Sequence, residues 1–211
     1  MSIKITTLVE NSVYGKGLQG EHGLSLLVDT GEHRLLFDTG ASDLFIRNAR
    51  ILGIDLKEVD FLVLSHGHRD HTGGLHHFLA VNDKAQVVCK RELFQLKFKD
   101  ERENGVMQPD ALDSTRFRFV DEVTELCRGV FVFPQLPVTD EEDTHFEHFF
   151  TWAEGRKQAD TFTDELALVL KQGAEVSVLS ACSHRGITNI IRAVQEYFPQ
   201  TSLKLVLGGF H

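Results

Sequence analysis

The chain has 211 residues, 42% of them hydrophobic, so it can bury a substantial core and fits one domain better than two. Its 31 acidic and 22 basic residues give a formal net charge of -9, which argues against broad nucleic-acid binding through clustered Lys and Arg. No apolar run approaches the roughly twenty residues that cross a bilayer, and the start, MSIKITTLVEN, lacks a secretion signal pattern. Three widely spaced cysteines without a CxxC pair favour a reducing compartment. We therefore predict a cytoplasmic protein.

The first third of the chain predicts strands followed by a helix. Apolar patterning predicts strands over residues 3–8, 24–28 and 33–37, and the segment DTGEH predicts a hairpin turn between the last two. Ser42 suits the N-cap of a helix, and Gly53 suits the position just after its end. The next apolar run, FLVLS, has the length of a buried strand.

The remaining elements complete an α/β or α+β pattern. A helix is predicted over LHHFLAVN and a strand over QVVCK, and the periodic signal then weakens over about residues 91–160. We predict a single domain over residues 1–211, with a variable insertion or lid in that weak region. Strands are predicted over ELALVL, VSVLS and LKLVL, with a helix over residues 187–198.

Histidines cluster directly after the FLVLS strand. The segment SHGHRDHTGG places His66, His68, Asp70 and His71 within six positions. Neutral imidazole is a good ligand for zinc and iron, and carboxylate adds affinity for manganese, so this group could serve two adjacent ions. The strands of VLSACSH and LVLGGFH end in the same way, and neighbouring strands in a sheet would bring all three ends together. Single histidines elsewhere in the chain are expected to be surface or core residues: His33, His76, His77, His145 and His148.

These motifs resemble the metallo-β-lactamase superfamily. FDTG at residues 37–40 followed by SHGHRDHTGGL matches its first two motifs in order and spacing. Together with DELALVL, CSHRGITNII and GGFH, the chain is similar to the branch of dihydropterin-ribofuranosylaminobenzene phosphate synthase-like metal-dependent hydrolases over residues 1–90 and 160–211. The resemblance implies a four-layer αββα sandwich, and whether this chain lacks the last C-terminal elements is left open.

The resemblance also implies a ligand set for two divalent ions, zinc first, with iron or manganese as alternatives. It assigns His66, His68 and His184, from two of these strand ends, to the first ion, and it assigns Asp70 and His71, from the turn after the first strand end, to the second ion. Asp38 of FDTG would orient the histidine loop, because ligating groups are themselves hydrogen-bonded.

His211 departs from the pattern of the superfamily. It stands where relatives such as glyoxalase II carry a bridging aspartate, and histidine cannot bridge two ions in the way that a carboxylate does. Relatives in the branch continue past GGFH to a further histidine, so the second ion is expected to be weaker or to lack one ligand. The α-carboxylate of His211 is an alternative oxygen ligand.

A metal-activated water needs no serine or cysteine nucleophile, so we predict a metal-dependent hydrolase of a small, anionic ester or phosphoester. Asp70 is the predicted catalytic residue, which would orient the water. Arg69 and Arg185 lie next to proposed ligands and are candidates to bind the anionic substrate, with solvated surface arginines as the alternative. Asp164 is a candidate pocket residue, and His22 is a candidate at the mouth of the site.

Two other functions remain open on the same resemblance. A non-catalytic metal or ligand sensor would keep the site without turnover. A diiron oxidoreductase is disfavoured because iron-binding relatives typically carry Glu at the position of His68. A small molecule is the expected partner, with neither nucleic acid nor membrane, and the oligomeric state is undetermined.

Overall fold

A computed structural model of the chain describes residues 3–106 and 114–210. Its strands and helices alternate in small groups along the chain. The strands are β1 Lys4–Val9, β2 Ser25–Asp29, β3 Arg34–Phe37, β4 Phe61–Val63, β5 Gln86–Cys89, β6 Lys97–Lys99, β7 Arg102–Glu103, β8 Phe117–Phe119, β9 Thr124–Cys127, β10 Val130–Phe133, β11 Phe149–Ala153, β12 Arg156–Ala159, β13 Ala167–Gln172, β14 Glu175–Ser180 and β15 Ser202–Gly208. The α-helices are α1 Leu44–Ile51, α2 Arg69–Thr72, α3 Leu75–Val81 and α4 Ile187–Tyr197, and short 3₁₀ turns lie at Leu56–Glu58, Arg91–Phe94 and Ser114–Arg116.

The strands form two main sheets and one smaller sheet. The first has the order β1-β2-β3-β4-β5-β8, with β3, β4, β5 and β8 parallel to one another. The second has the order β15-β14-β13-β10-β9, and β14 and β15 run parallel in it. The third, β12-β11-β6-β7, is antiparallel.

The two main sheets pack face to face, because alternate side chains of their strands are apolar on the inner side. That shared core contains residues of both sheets, among them Leu26, Val28, Leu35, Phe37, Val63, Val88, Val130, Val132, Leu168, Leu170 and Leu179. Intervening residues of the first sheet point outward and pack on α1 and α3, and those of the second pack on α4. The layers are therefore helix, sheet, sheet, helix, which confirms the predicted αββα sandwich.

The predicted elements outside residues 91–160 are present, with ends shifted by a few residues at most. The start of α1 is one difference: Asp43, not Ser42, occupies the N-cap position. The Asp43 carboxylate pairs with Arg47 at 2.9 Å, while the Ser42 hydroxyl accepts a hydrogen bond from the Leu44 N–H at 3.1 Å. Gly53 has φ +69°, the left-handed backbone expected just after a helix end.

Residues 91–160 contain strands of all three sheets. Strand β8 completes the first sheet, β9 and β10 extend the second, and the remaining four strands form the third sheet. The sequence signal was weak there because several of these strands have only two to four residues. The lid remains a prediction. Among the residues that the structure describes, none of the helices is long and apolar enough to cross a membrane.

Candidate metal centre

Three histidine side chains converge where the two main sheets meet. The loop after β4 carries His66 and His68, and the loop after β14 carries His184. Their ligand nitrogen atoms all lie within 4.8 Å of one another, and the three side chains are buried. The Nε2 atoms of His66 and His68 have no hydrogen-bond partner among the described residues. Buried nitrogen atoms are normally hydrogen-bonded, so this arrangement fits a site for a divalent ion.

Protein oxygen atoms lie within hydrogen-bond distance of the Nδ1 atoms of His66, His184 and His71. His66 Nδ1 lies 2.8 Å from the Ser65 hydroxyl, and His184 Nδ1 lies 3.0 Å from the carbonyl oxygen of His145. His71 Nδ1 lies 2.8 Å from the Asp38 carboxylate. Partners of this kind on Nδ1 fix the ring orientation and leave Nε2 to face an ion, which is the usual arrangement around a bound metal.

A second group of possible ligands lies beside the first. His71, in the short helix α2, has its Nε2 at 3.1 Å from the Cys182 sulfur and at 3.4 Å from Asp70 Oδ2. The ligand atoms of His66, His71 and Cys182 also lie within 4.8 Å of one another, so His66 belongs to both groups. His22 extends this group outward, with its Nε2 at 3.4 Å from Asp70 Oδ2 and its side chain largely exposed.

Asp38 connects β3 to the histidine loop. Its side chain is fully buried, and its backbone has φ +59°, a left-handed conformation that aspartate tolerates better than most residues. One carboxylate oxygen accepts the Ser65 N–H at 2.7 Å, and the other accepts the Ser65 hydroxyl at 2.7 Å and faces His71. This one carboxylate therefore fixes both the start of the loop and the ring of His71.

Asp164 holds the middle of the same loop. Its Oδ2 accepts the Gly67 N–H at 2.7 Å, and its Oδ1 accepts a hydrogen bond from Lys97 Nζ at 2.9 Å. Lys97 also donates to Asp160 at 2.7 Å, and all three charged side chains are buried. A Cβ added at Gly67 would lie 2.4 Å from the Leu93 carbonyl oxygen, so the loop needs glycine there. Asp164 thus fixes the position of the loop at Gly67.

Glu165 fixes the loop after β14 in the same way, through hydrogen bonds to backbone N–H groups. Its two carboxylate oxygens accept the N–H groups of His184 and Arg185, each at 2.8 Å. Ser183 has φ +57°, and its hydroxyl is hydrogen-bonded to that of Ser180 at 2.8 Å. A left-handed non-glycine residue costs about 1–3 kcal/mol, so the surrounding contacts must hold it in place. This turn is what directs His184 towards the site.

Burial sets the protonation of the first group. It lowers the pKa of His66 and of His68 well below the ordinary range, and the neighbouring histidines lower it further, so both rings are neutral and can bind a metal. Burial also opposes protonation of His71, but Cys182, Asp38 and Asp70 outweigh it, and the net effect raises the pKa of His71. An ion bound to His71 would therefore displace a proton.

A cavity of about 370 Å³ opens over the first group. Ten residues line it: His22, Ala41, His68, Arg69, Asp70, Lys99, Asn104, Phe149, Cys182 and His184. Phe162 stacks on the His184 ring with centroids 3.8 Å apart, and Phe149 contacts the rings of His68 and His184 at 4.8 and 5.0 Å. The third sheet supplies Phe149 and Lys99, so this sheet forms one wall of the cavity.

Most of the predicted site residues lie at the candidate metal centre. His66, His68, Asp70, His71 and His184 lie in the two groups of possible ligands, and Asp38 and Asp164 hydrogen-bond to the loop that follows β4. Arg69 and His22 line the cavity. Arg185 instead donates to the carbonyl oxygens of Leu136 and Thr161, both at 2.6 Å, and lines a different cavity with Lys90 and Tyr197. His211 lies outside the described residues.

Sequence reasoning did not identify Lys97, Phe149 or Phe162 as residues of the site. Lys97 lies in KFKD, a short strand whose pattern gives no sign that a lysine would be buried. The two phenylalanines come from the weak region and from the turn before DELALVL. Cys182, whose sulfur contacts His71, was not identified from the sequence either.

Comparison with known proteins gives relatives over the whole chain. The curated 7,8-dihydropterin-6-methyl-4-(beta-D-ribofuranosyl)-aminobenzene-5'-phosphate synthase of Methanocaldococcus jannaschii is 29% identical and aligns with 100% of this chain and 78% of its own length. An uncharacterized protein of the same organism is 30% identical, over 98% of this chain and 78% of its own length.

Solved structures show the same relationship. A structure described as a metal-dependent hydrolase of the beta-lactamase superfamily is 34% identical, with a TM-score of 0.84 over 100% of this chain and 77% of that one. A quorum-quenching N-acyl homoserine lactone lactonase, at 16% identity and a TM-score of 0.54 over 88% and 78% of the two chains, shares the fold. The sequence model of the metallo-beta-lactamase superfamily matches residues 18–164. This chain therefore belongs to the metallo-β-lactamase superfamily.

Proposed function

We propose that this protein is a hydrolase that uses divalent metal ions, zinc first, to cleave a small anionic ester or phosphoester. The observation that carries the proposal is the buried group of His66, His68 and His184, whose ligand nitrogens lie within 4.8 Å of one another. Three buried histidines with an open side, of which His66 and His184 are oriented by hydrogen-bond partners on Nδ1, are typical of a catalytic metal site rather than a closed structural one. Iron or manganese in the same site is the alternative.

The residues around the site have separable tasks. A divalent ion held there would lower the pKa of a bound water and polarise the substrate oxygen. In this proposal Asp70 orients that water, which is supported by the position of its carboxylate at the border of the cavity, where it is 17% exposed. His71 holds the pKa of Asp70 well below its ordinary range, against the opposing effect of burial, so the carboxylate is ionised and accepts hydrogen bonds at neutral pH.

Positive and polar side chains at the rim support an anionic substrate. Arg69 and Lys99 line the cavity and are exposed, and Asn104, whose carbonyl oxygen accepts the Arg69 N–H at 3.0 Å, lines it beside them. Arginine and lysine in such positions bind phosphate and carboxylate groups. The name of the archaeal synthase contains a 5'-phosphate, which agrees with a phosphate-bearing ligand for this chain. That name also favours a second candidate, a bond-forming reaction on a phosphate-bearing substrate.

The test is a turnover screen of metal-loaded protein against phosphodiesters, phosphomonoesters, thioesters and lactones. We expect hydrolysis of an anionic substrate that a chelator abolishes and added zinc, iron or manganese restores. Arg69→Gln should raise KM for the anionic substrate while leaving kcat within a few-fold, and Arg47→Gln, in an exposed ion pair of α1, is the matched control. Metal binding without turnover would support the sensor, and oxygen consumption without hydrolysis would support the oxidoreductase.

A further inference from the structure

A cavity of about 640 Å³ lies apart from the candidate metal centre. Its walls come from the end of β5, the chain after β10, the turn before β13 and the second half of α4. Of the described residues that line it, none also lines the cavity over the first histidine group. It is therefore a separate space, which the proposed function does not use.

Two cationic side chains line this cavity, and one segment of the chain holds both of them. Lys90 directly follows β5, and its Nζ donates a hydrogen bond to the Pro134 carbonyl oxygen at 3.0 Å. The Nε of Arg185 donates to the Leu136 carbonyl oxygen at 2.6 Å. Two residues of chain span at most about 7 Å, so the two positive charges lie near each other.

The charges of this pair are not neutralised by adjacent carboxylates. Among the residues that the structure describes, no carboxylate forms an ion pair with Lys90 or Arg185. Burial lowers the pKa of Lys90 and the charge of Arg185 lowers it further, and Glu92 and Asp164 offset only part of this effect. Glu196 also lines the cavity, but its side chain is exposed, so solvent screens its charge. A partly buried charge is costly unless an opposite charge accompanies it, so an anion in the cavity would stabilise the pair.

The wall beside the cations is apolar and partly aromatic. Phe133 and Pro134 are buried, whereas Tyr197 is 51% exposed. The ring of Tyr197 packs edge-to-face on that of Phe133, with centroids 5.3 Å apart. Exposed aromatic surface gains free energy when an apolar group of a ligand covers it. The cavity therefore favours an anion that carries an apolar group over a bare inorganic anion.

We propose that this cavity binds a phosphate monoester that carries an aromatic group. Its phosphate would contact Lys90 and Arg185, because two positive charges match a phosphate dianion better than they match a single carboxylate. Its ring would pack against Tyr197. The inference goes beyond the proposed function and does not depend on it, since this binding needs neither a metal ion nor turnover.

The test is isothermal titration calorimetry of the protein with phenylphosphonate, which resembles an aromatic phosphate monoester but has no ester bond to hydrolyse. We expect saturable binding that weakens at least tenfold in Lys90→Met, because methionine keeps the side-chain length and removes the charge. Lys84→Met is the matched control and should bind as the unaltered protein does, since Lys84 is an exposed lysine that lines a different cavity and pairs with Asp60. Tyr197→Ala should weaken the binding of phenylphosphonate at least threefold and leave that of inorganic phosphate unchanged.

A further variant separates this cavity from the metal centre, whose rim also carries cations. Arg69 lines the cavity over the first histidine group, so Arg69→Gln should leave phenylphosphonate binding within twofold of that of the unaltered protein. Binding that Arg69→Gln weakens and Lys90→Met does not, or the absence of saturable binding, would overturn the proposal. Inorganic phosphate that binds as tightly as phenylphosphonate would overturn the proposed ligand class. The hydrolase proposal stands or falls separately, on turnover.

A second measurement does not depend on the folding of a variant. In the unaltered protein, acetylation of Lys90 by acetic anhydride, followed by peptide mapping, should slow at least tenfold when phenylphosphonate saturates the protein. Lys84 should react at the same rate with and without phenylphosphonate. Acetylation of Lys90 that phenylphosphonate does not slow would mean that the ligand binds elsewhere, and it would overturn the proposal.

Discussion

Replacing Lys97 by methionine should reveal how strongly the buried charge cluster supports the metal loop. The Lys97 ammonium is 1% exposed and donates to Asp160 and Asp164 at 2.7 and 2.9 Å. Burial lowers the pKa of Lys97, but the charges of the two aspartates outweigh it and raise the pKa, so the side chain is charged at neutral pH. Methionine keeps the length and removes the charge, which leaves two buried carboxylates without their cation.

The expected magnitude follows from that unbalanced charge. Removing one partner of a buried ion pair typically costs about 3–5 kcal/mol, which is a large part of the roughly 5–15 kcal/mol by which a domain is stable. Burial already raises the pKa of Asp164, so one carboxyl group would take up a proton and reduce the cost to the lower end of that range. We expect a loss of about 3 kcal/mol in the free energy of unfolding.

The assay is urea unfolding followed by circular dichroism and by the fluorescence of Trp152, the one tryptophan, which lies in β11 next to the residue paired with Lys97. Lys204→Met is the matched control, because Lys204 forms an exposed ion pair with Glu175 and should cost about 1 kcal/mol or less. Adding Asp160→Asn to Lys97→Met should recover part of the loss. A Lys97→Met protein as stable as Lys204→Met would refute the reasoning.

Three further predictions concern other parts of the structure. Asp38→Asn keeps the left-handed backbone but loses one acceptor, so we expect metal affinity, measured by chelator competition, to fall by about 10–100-fold with an unchanged fold; full affinity would contradict the role of Asp38. Gly67→Ala places a Cβ 2.4 Å from the Leu93 carbonyl oxygen, so thermal unfolding should show a loss of about 1–3 kcal/mol together with reduced metal content. At Asp60 burial raises the pKa, but the N–H of Arg34 and the charge of Lys84 outweigh it and lower the pKa below its ordinary 3.8. Its stabilisation is therefore present above pH 3.8 and lost as pH falls through the lower folded value, and Asp60→Asn should lose stability less steeply than the unaltered protein in that acid range.

Much of the sandwich could be predicted from local patterns. The strands around FDTG and FLVLS alternate or run apolar in the way that buried strands do, and the amphipathic segment from Ile187 is a clear helix. The histidine loop could also be predicted, because four ligand-type side chains rarely occur within six positions of a chain unless they bind a metal. The strand-end argument predicted that His184 would lie near that loop, and the structure places it there.

The supporting residues could not be predicted, since their roles depend on contacts between distant segments. Lys97 and Asp164 are separated by 67 positions, and nothing in either neighbourhood indicates that they pair. Arg185, in contrast, was predicted to lie at the site from its sequence position, and the structure places its side chain elsewhere. Its place beside His184 suggested a substrate role, but the turn after Ser183 directs its guanidinium to backbone carbonyl groups. Residues that are adjacent in sequence can face different sides of a turn, and only the folded structure shows which side each of them faces.

The most direct test of the metal centre is the metal content of the purified protein, measured by elemental analysis before and after loading with zinc and removal of excess metal. We expect at least one tightly held divalent ion per chain, and at least tenfold weaker retention in His68→Ala, with His33→Ala as the matched control at a partly exposed histidine paired with Asp60. A protein that retains no ion after loading, or an ion that His68→Ala retains as well as His33→Ala does, would contradict the assignment of the buried histidine group as a metal site.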